Sequence, residues 1–306
     1  MSGASVPVQW LPLEIGVAAG LLSRIVSLRS GSSGYPGYPS GYLSQLAIGV
    51  IAALIGGSVV TSLLAKQFTA ATFLTLAATQ FFDLRQTERT TLEKEDRLIL
   101  VARGAGYIEG IARTFEARNY LSMLVALAAS GGTALWGPWV GGAVGAVLIV
   151  VSLYLMQGPV MGDLIDVKPS PIHFEKDSLL YVGDVMLMEV GLKHTREQWL
   201  KEGLGVVLMP KSGRGEAALW DVSQRQALTH EAARAVGAKK DVGYPDYSPL
   251  TRMQMPDANG RGALGIIPVE ADVDRLIDAV RRTPVLESTK WQRVHYTQRD
   301  THSSSQ

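Results

Sequence analysis

The sequence predicts an α-helical polytopic membrane bundle of about five transmembrane helices, followed by a cytoplasmic α/β (α+β) domain. Three observations carry this. Apolar residues make up 47% of the 306 and gather, before about residue 160, into long runs separated by short polar stretches. Beyond that point charged and apolar residues mix as they do in a water-soluble fold. Cations fall unevenly on alternate connections between the runs, as orientation in a bilayer requires. The expected divisions are a membrane domain at 1–160 with a charged cytoplasmic loop at 83–118, an α/β domain at 161–288, and a disordered tail at 289–306 with Ser303–Ser305 near its end.

The clearest span covers residues 42–65, YLSQLAIGVIAALIGGSVVTSLLA, uncharged and longer than the roughly 20 residues a hydrocarbon core requires. Gly49, Ala53 and Gly57 share one face of it, where another helix backbone can approach closely. Two further spans fit into 119–156, with the break expected from Gly131-Gly132 through Gly137-Pro138 and bracketed by the interfacial indoles Trp136 and Trp139. Gly141 and Gly145 repeat the close-packing pattern. A shorter candidate at 68–84 sets Thr69, Thr72, Thr79 and Asp83 on one face, which suits hydrogen bonds between helices.

Residues 10–28 make the fifth crossing if Glu14 and Arg24 snorkel to opposite interfaces; lying in the interface, they would leave four. No Lys or Arg precedes this stretch, a charge order opposite to that of a secretory signal. With five crossings, Arg24, Arg29, the 83–118 loop, Lys168 and Lys176 fall on one side, and the cation-free N-terminus and Lys66 on the other. The positive-inside rule then sets the N-terminus outside and the C-terminal domain in the cytoplasm, in a multi-pass protein of the cell membrane.

Within the charged loop, Ile108, Ile111 and Phe115 share a helical face opposite Glu109, Arg113 and Glu116, an amphipathic pattern leading into the fourth span. Here the chain spells Tyr107-Ile108-Glu109-Gly110-Ile111-Ala112. Further segments follow a familiar order: YPGYPSGY at 35–42, FEARNYL at 115–121, LLYVGDVMLMEVGL at 179–192, SQRQALTHE at 223–231 and PVLES at 284–288. Together they resemble the YIEGIA family of membrane proteins from endospore-forming bacteria. The resemblance implies an integral membrane protein linked to sporulation, with the forespore membrane as an expected address, and hands over no catalytic residue. Ser223 stands where the family pattern leads one to expect a glycine.

In the C-terminal part, the prolines of GDLIDVKPSPIHF (162–174) read as a linker. Residues 179–188 read as a strand or hairpin, 195–202 as a short helix, and 205–210 and 217–222 as strands, with Lys211–Gly215 turning between them. A helix at 223–236, an irregular stretch at 241–250, a turn at 257–260, a strand at 263–269 and a helix at 273–282 complete a mixed sheet with helices on it.

The polar cluster Gln224, Arg225, Gln226 and His230 lies in the first turns of the 223–236 helix, which Ser223 can cap, and is the candidate ligand- or partner-binding site. His230-Glu231 opens like HExxH, but Arg234 stands where the second histidine must be, so no zinc site forms. The chain has no cysteine, which removes disulfides, thiolate metal sites and thiol nucleophiles. A net charge of +1 and the lack of a basic, aromatic-interleaved block argue against nucleic acid.

Without a cofactor or metal motif, the expected function is a membrane regulator or assembly factor whose partners are the lipid bilayer and a protein. The alternative is a membrane-associated aspartic protease, in which two carboxylates share a proton and activate water; Asp83, Glu109, Asp163 and Asp166 are its candidates. No GxGD motif is present, although Gly162-Asp163 and Gly183-Asp184 preserve a fragment of it. A transporter ranks last, since the few charges of the spans lie near their ends.

Overall fold

The computed structural model describes residues 10–29, 39–240, 247–253 and 260–290. The chain forms two compact units, one of Met1–Thr91 with Ile111–Gly158 and the other of Leu92–Gly110 with Pro159–Gln306. The expected turn at 257–260, most of the irregular stretch at 241–250 and the tail from 291 onward lie outside the described residues.

The first unit is helical: α1 (Trp10–Arg29), α2 (Pro39–Leu64), α3 (Phe68–Asp96), α4 (Ala105–Trp136) and α5 (Pro138–Met156), with the end of α3 and the start of α4 assigned to the second unit. Among the described residues three stretches are long and apolar enough to cross a membrane: Trp10–Arg29, Gly41–Leu64 and Pro138–Met156. Five crossings are therefore not supported. In α3 the apolar run gives way to charge from Asp83 onward, and in α4 it starts only after Arg118 and Asn119, leaving each helix too polar over a bilayer's length.

Three local expectations for this unit are corrected. Gly131 and Gly132 do not end a helix; α4 runs through them to Trp136, and the break is left to Gly137, whose φ of 95° opens the turn before Pro138. Thr72 and Thr79 bond back to the carbonyls of Phe68 and Leu76 on their own helix, so they do not bridge helices. Arg24 does not snorkel: it is fully buried and donates to Gln45. Glu14 is exposed.

Small residues set the helix spacing. A Cβ on Gly16 would lie 2.7 Å from the Ala126 carbonyl, one on Gly20 2.7 Å from the Ser122 carbonyl, and one on Gly56 would collide with the Met123 carbonyl. Ser122 and Ser130 donate to the carbonyls of Gly20 and Gly57 through the gaps so created. Gly56→Leu is accordingly expected to cost about 2 kcal/mol by overpacking and to lower the melting temperature of the full-length protein in detergent. Gly142→Leu, with nothing near its missing Cβ, is expected to leave it unchanged.

The second unit is built on a four-stranded antiparallel sheet with order β1-β5-β7-β6, formed by β1 (Ile165–Pro169), β5 (Leu204–Pro210), β7 (Gly262–Ile266) and β6 (Leu250–Met253). A three-stranded antiparallel sheet holds β2 (Ile172–Glu175), β3 (Leu179–Val182) and β4 (Val185–Glu189) in order. All pairings among the described residues are antiparallel, so the mixed sheet expected from sequence is corrected to two antiparallel sheets, an α+β arrangement. The supposed linker is β1 and β2: Pro169 closes an edge strand, where a missing amide donor is tolerated.

The helices are α6 (Met161–Leu164), α7 (Lys193–Glu202), α8 (Gly213–Trp220), α9 (Val222–Val236), α10 (Val273–Arg282) and α11 (Glu287–Lys290). Residues 217–222 thus form no strand. Residues 217–220 continue α8, which starts at Gly213 within the supposed inter-strand turn, Asp221 separates the helices and Val222 opens α9; a four-residue apolar run cannot by itself distinguish strand from helix. One face of the larger sheet packs Val206, Leu208, Leu264 and Ile266 against Leu219, Leu228, Leu276 and Val280 of the helices. The other packs Ala263 and Ile267 against Leu180, Val182, Leu187 and Trp199. Burial on both faces leaves every residue of β7 inaccessible.

Candidate functional site

The site grows from α9. Asp221, not Ser223, is its N-cap: its carboxylate accepts from the Gln224 amide at 2.8 Å, placing the helix start one residue earlier than expected. Gln224, fully buried, then uses both ends of its amide. Nε2 donates to the Pro284 carbonyl at 3.0 Å and Oε1 accepts from the Leu286 amide at 2.8 Å, so it clamps the PVLES segment. Arg225 donates to the Leu219 carbonyl, and its own carbonyl accepts from Thr251. These two members of the predicted cluster act inward.

Gln226 and His230 face residues 92–110, which belong to the same compact unit. The Asp96 carboxylate accepts from the amides of Arg103 (2.6 Å) and Gly104 (3.2 Å) and so shapes the bend before α4. Gly104 has φ 85°, and a Cβ there would strike the Gln226 amide, two independent reasons for glycine. His230 Nδ1 lies 2.8 Å from the Val101 carbonyl. A carbonyl only accepts, so Nδ1 carries the proton and Nε2 the lone pair of a neutral ring.

Burial pushes the His230 pKa down, against the opposing pull of the Val101 carbonyl and the Glu231 charge. The unfolded histidine takes up its proton near pH ~6.5, while the folded ring takes it up only at lower pH. Stability is therefore complete above ~6.5 and is lost as pH falls through the depressed folded value. Protection of the α9 amides, taken relative to the intrinsic exchange rate at each pH, is expected to fall as pH drops from about 7.5 to about 5.5, and His230→Gln is expected to flatten that response.

Beside His230 lies the contact the sequence did not reveal. Tyr107, the first residue of YIEGIA, is 2% exposed and donates its hydroxyl to Glu231 Oε1 at 2.6 Å. The other carboxylate oxygen accepts from Arg234 Nε and Nη2 at 2.9 and 2.6 Å. Burial and the Glu231 charge hold the Tyr107 phenol protonated far above the usual tyrosine range, which keeps it a donor. Ile108 is buried next to it, Glu109 and Gly110 are half-buried, and Ile111 and Ala112 belong to the core of the helical unit.

The carboxylates considered for proton-sharing catalysis are not brought together as a dyad among the described contacts. Asp83 is exposed on α3. Asp163 accepts from the Val160 amide at the start of α6, and Asp166, on β1, lies 3.4 Å from Lys211 Nζ. Glu109 is half-buried on α4. Among the described residues no group of three His, Asp or Glu side chains converges as a metal site.

Next to the Tyr107 network opens a recess of about 220 Å³. Leu100, Val101 and Ala102 form one wall, Gln226 and Thr229 of α9 another, and Lys239, Lys240, Ser248 and Pro249 the rim. Lys239 is bound to Glu202, whereas Lys240 is exposed. Of the predicted cluster, Gln226 alone lines this space, while Gln224, Arg225 and His230 brace the walls.

The family model described as YIEGIA protein matches residues 12–296. The chain is 34% identical over 277 residues to "Uncharacterized protein YphB" of Bacillus subtilis (strain 168), an alignment that covers 90% of this chain and 92% of that protein. No solved structure matches.

Proposed function

We propose, for a chain that belongs to the YIEGIA protein family, a membrane-anchored binding protein: a sporulation-associated regulator or assembly factor whose α/β unit takes a segment of a protein partner. Support comes chiefly from one observation. Tyr107, Gln224, His230 and Glu231 of the YIEGIA and QRQALTHE segments are committed to bonds that build walls, and beside them an open recess is lined by the Gln226 amide and rimmed by lysine and serine. Exposed Lys240 and Gln226 favour an acidic or amide-bearing segment over an apolar one. In this reading the apolar helices anchor the protein, and the positive-inside rule turns the α/β unit to the cytoplasm, with the forespore membrane as its setting.

The reading is tested by capture of partners with tagged full-length protein from its native membrane. A protein retained by the wild type and lost with Lys240→Glu is the expected result. Equal retention by both would exclude the recess as the docking place.

A further inference from the structure

We propose that the helical unit contains a second binding site, for a hydroxyl-bearing phosphate anion, formed by Arg24, Arg118 and Asn119. Three helices converge there. From α1, the Arg24 guanidinium donates through Nε to the Gln45 carbonyl at 3.1 Å and through Nη2 to Gln45 Oε1 at 2.6 Å, both on α2. Its carbon also lies 5.5 Å from the centroid of Phe115 on α4. Phe115, Arg118 and Asn119 stand at i, i+3 and i+4, so the two latter follow Phe115 on the same face of α4. Gly49 leaves room for the Arg24 stem, with which any Cβ at that position would collide.

What this cluster lacks, among the described residues, is matching acceptors. Arg24 is 0%, Arg118 5% and Asn119 0% exposed. Nη1 of Arg24, Nε of Arg118 and both amide atoms of Asn119 are buried with no hydrogen-bond partner. Arg118 and Glu88 are charged groups near enough to act on Arg24. Two guanidiniums held this way are costly unless an anion completes them. Their planar donor forks match phosphate oxygens, and Asn119 adds one amide donor. The Asn119 carbonyl oxygen requires a donor in return, which a hydroxyl on the anion supplies.

The depth of the cluster fits this ligand. Arg24 lies about one and a half turns before the end of α1, and Gln45 a similar distance after the start of α2, so the site is near helix ends and not at mid-span. Phosphate of that kind comes either from a glycerol-bearing acidic phospholipid or from free hydrogen phosphate, and basic pockets between helices at headgroup depth take the former.

The test uses full-length protein stripped of lipid in neutral detergent, followed by thermal melting and native mass spectrometry. Phosphatidylglycerol is expected to raise the melting temperature and remain bound one to one, while phosphatidylcholine does neither. Arg118→Gln is expected to weaken phosphatidylglycerol binding at least tenfold. Asn119→Asp, which supplies a carboxylate of its own to the arginines, is expected to fold and to lose the response, so it decides the matter if Arg118→Gln does not fold. Stabilisation by inorganic phosphate alone would support the site and assign its source to the soluble ion. The proposal is overturned if neither anion acts on the wild type, or if the variants respond as the wild type does.

Discussion

Replacing Glu231 with alanine is expected to destabilise the α/β unit by about 3 kcal/mol, the cost of a buried hydrogen bond to a charged group together with a stranded donor. The Tyr107 hydroxyl would remain inside with nothing to accept from it, since Tyr107 is 2% exposed. Arg234, whose side chain is half exposed, would return to water, so little of the loss comes from the ion pair. Tyr107→Phe should cost less, about 1.5 kcal/mol, because Glu231 keeps Arg234. Arg234→Ala should cost least. Denaturant-dependent proteolysis of the full chain checks this ranking, and an equal loss in all three variants would contradict the donor-stranding argument.

Trp199→Ala is expected to be at least as severe, about 3–5 kcal/mol for truncation of a fully buried indole. Trp199 belongs to the core between the two sheets, where Val182, Leu187 and Ala263 surround it. Glycines pack close to the ring: a Cβ on Gly203 would crowd indole Cε3 at 3.1 Å, while one on Gly265 would run into Leu187 first and meet Cζ3 at an ordinary 3.4 Å. The cavity cannot close easily, because the antiparallel pairing of β5 with β7 and of β3 with β4 fixes the sheets on either side. Amide exchange of β3, β4 and β7 should accelerate together in the variant, while that of α1 and α2 should not change. Acceleration confined to α7 would show that the indole supports only its own helix.

The sequence made the elements legible where local chemistry was unambiguous. Residues 273–282 form α10 as the periodicity required, with Asp272 as cap, and LLYVGDVMLME forms the β3–β4 hairpin around Gly183 at φ 56°. It misled where a local signal had a tertiary answer. The prolines at 169 and 171 read as a linker, but Pro169 ends the edge strand β1 and Pro171 sits in the short connection to β2, so neither costs the sheet an inner amide donor. Ser223 has the chemistry of a cap, yet Asp221 is the one whose oxygen reaches the Gln224 amide. The central contact of the site joins residues 124 apart in the chain, so no periodicity or spacing could pair Tyr107 with Glu231. One signal was present: both residues lie within segments that carry the family resemblance, and a tyrosine and a glutamate that are both buried must satisfy one another or another partner. Arg24 is a similar case. Its position near a helix end suggested escape to the interface, but Gln45 and Phe115 hold it inside.

The central claim, that the recess beside the Tyr107 network is where a protein partner docks, is tested most directly by a photo-crosslinking residue introduced singly at Leu100, on the recess wall, and at Met186, an exposed position on β4. In full-length protein irradiated in its native membrane, a discrete protein adduct from Leu100 and none from Met186 is the predicted result. An adduct from Met186 alone, or none from either, would contradict it.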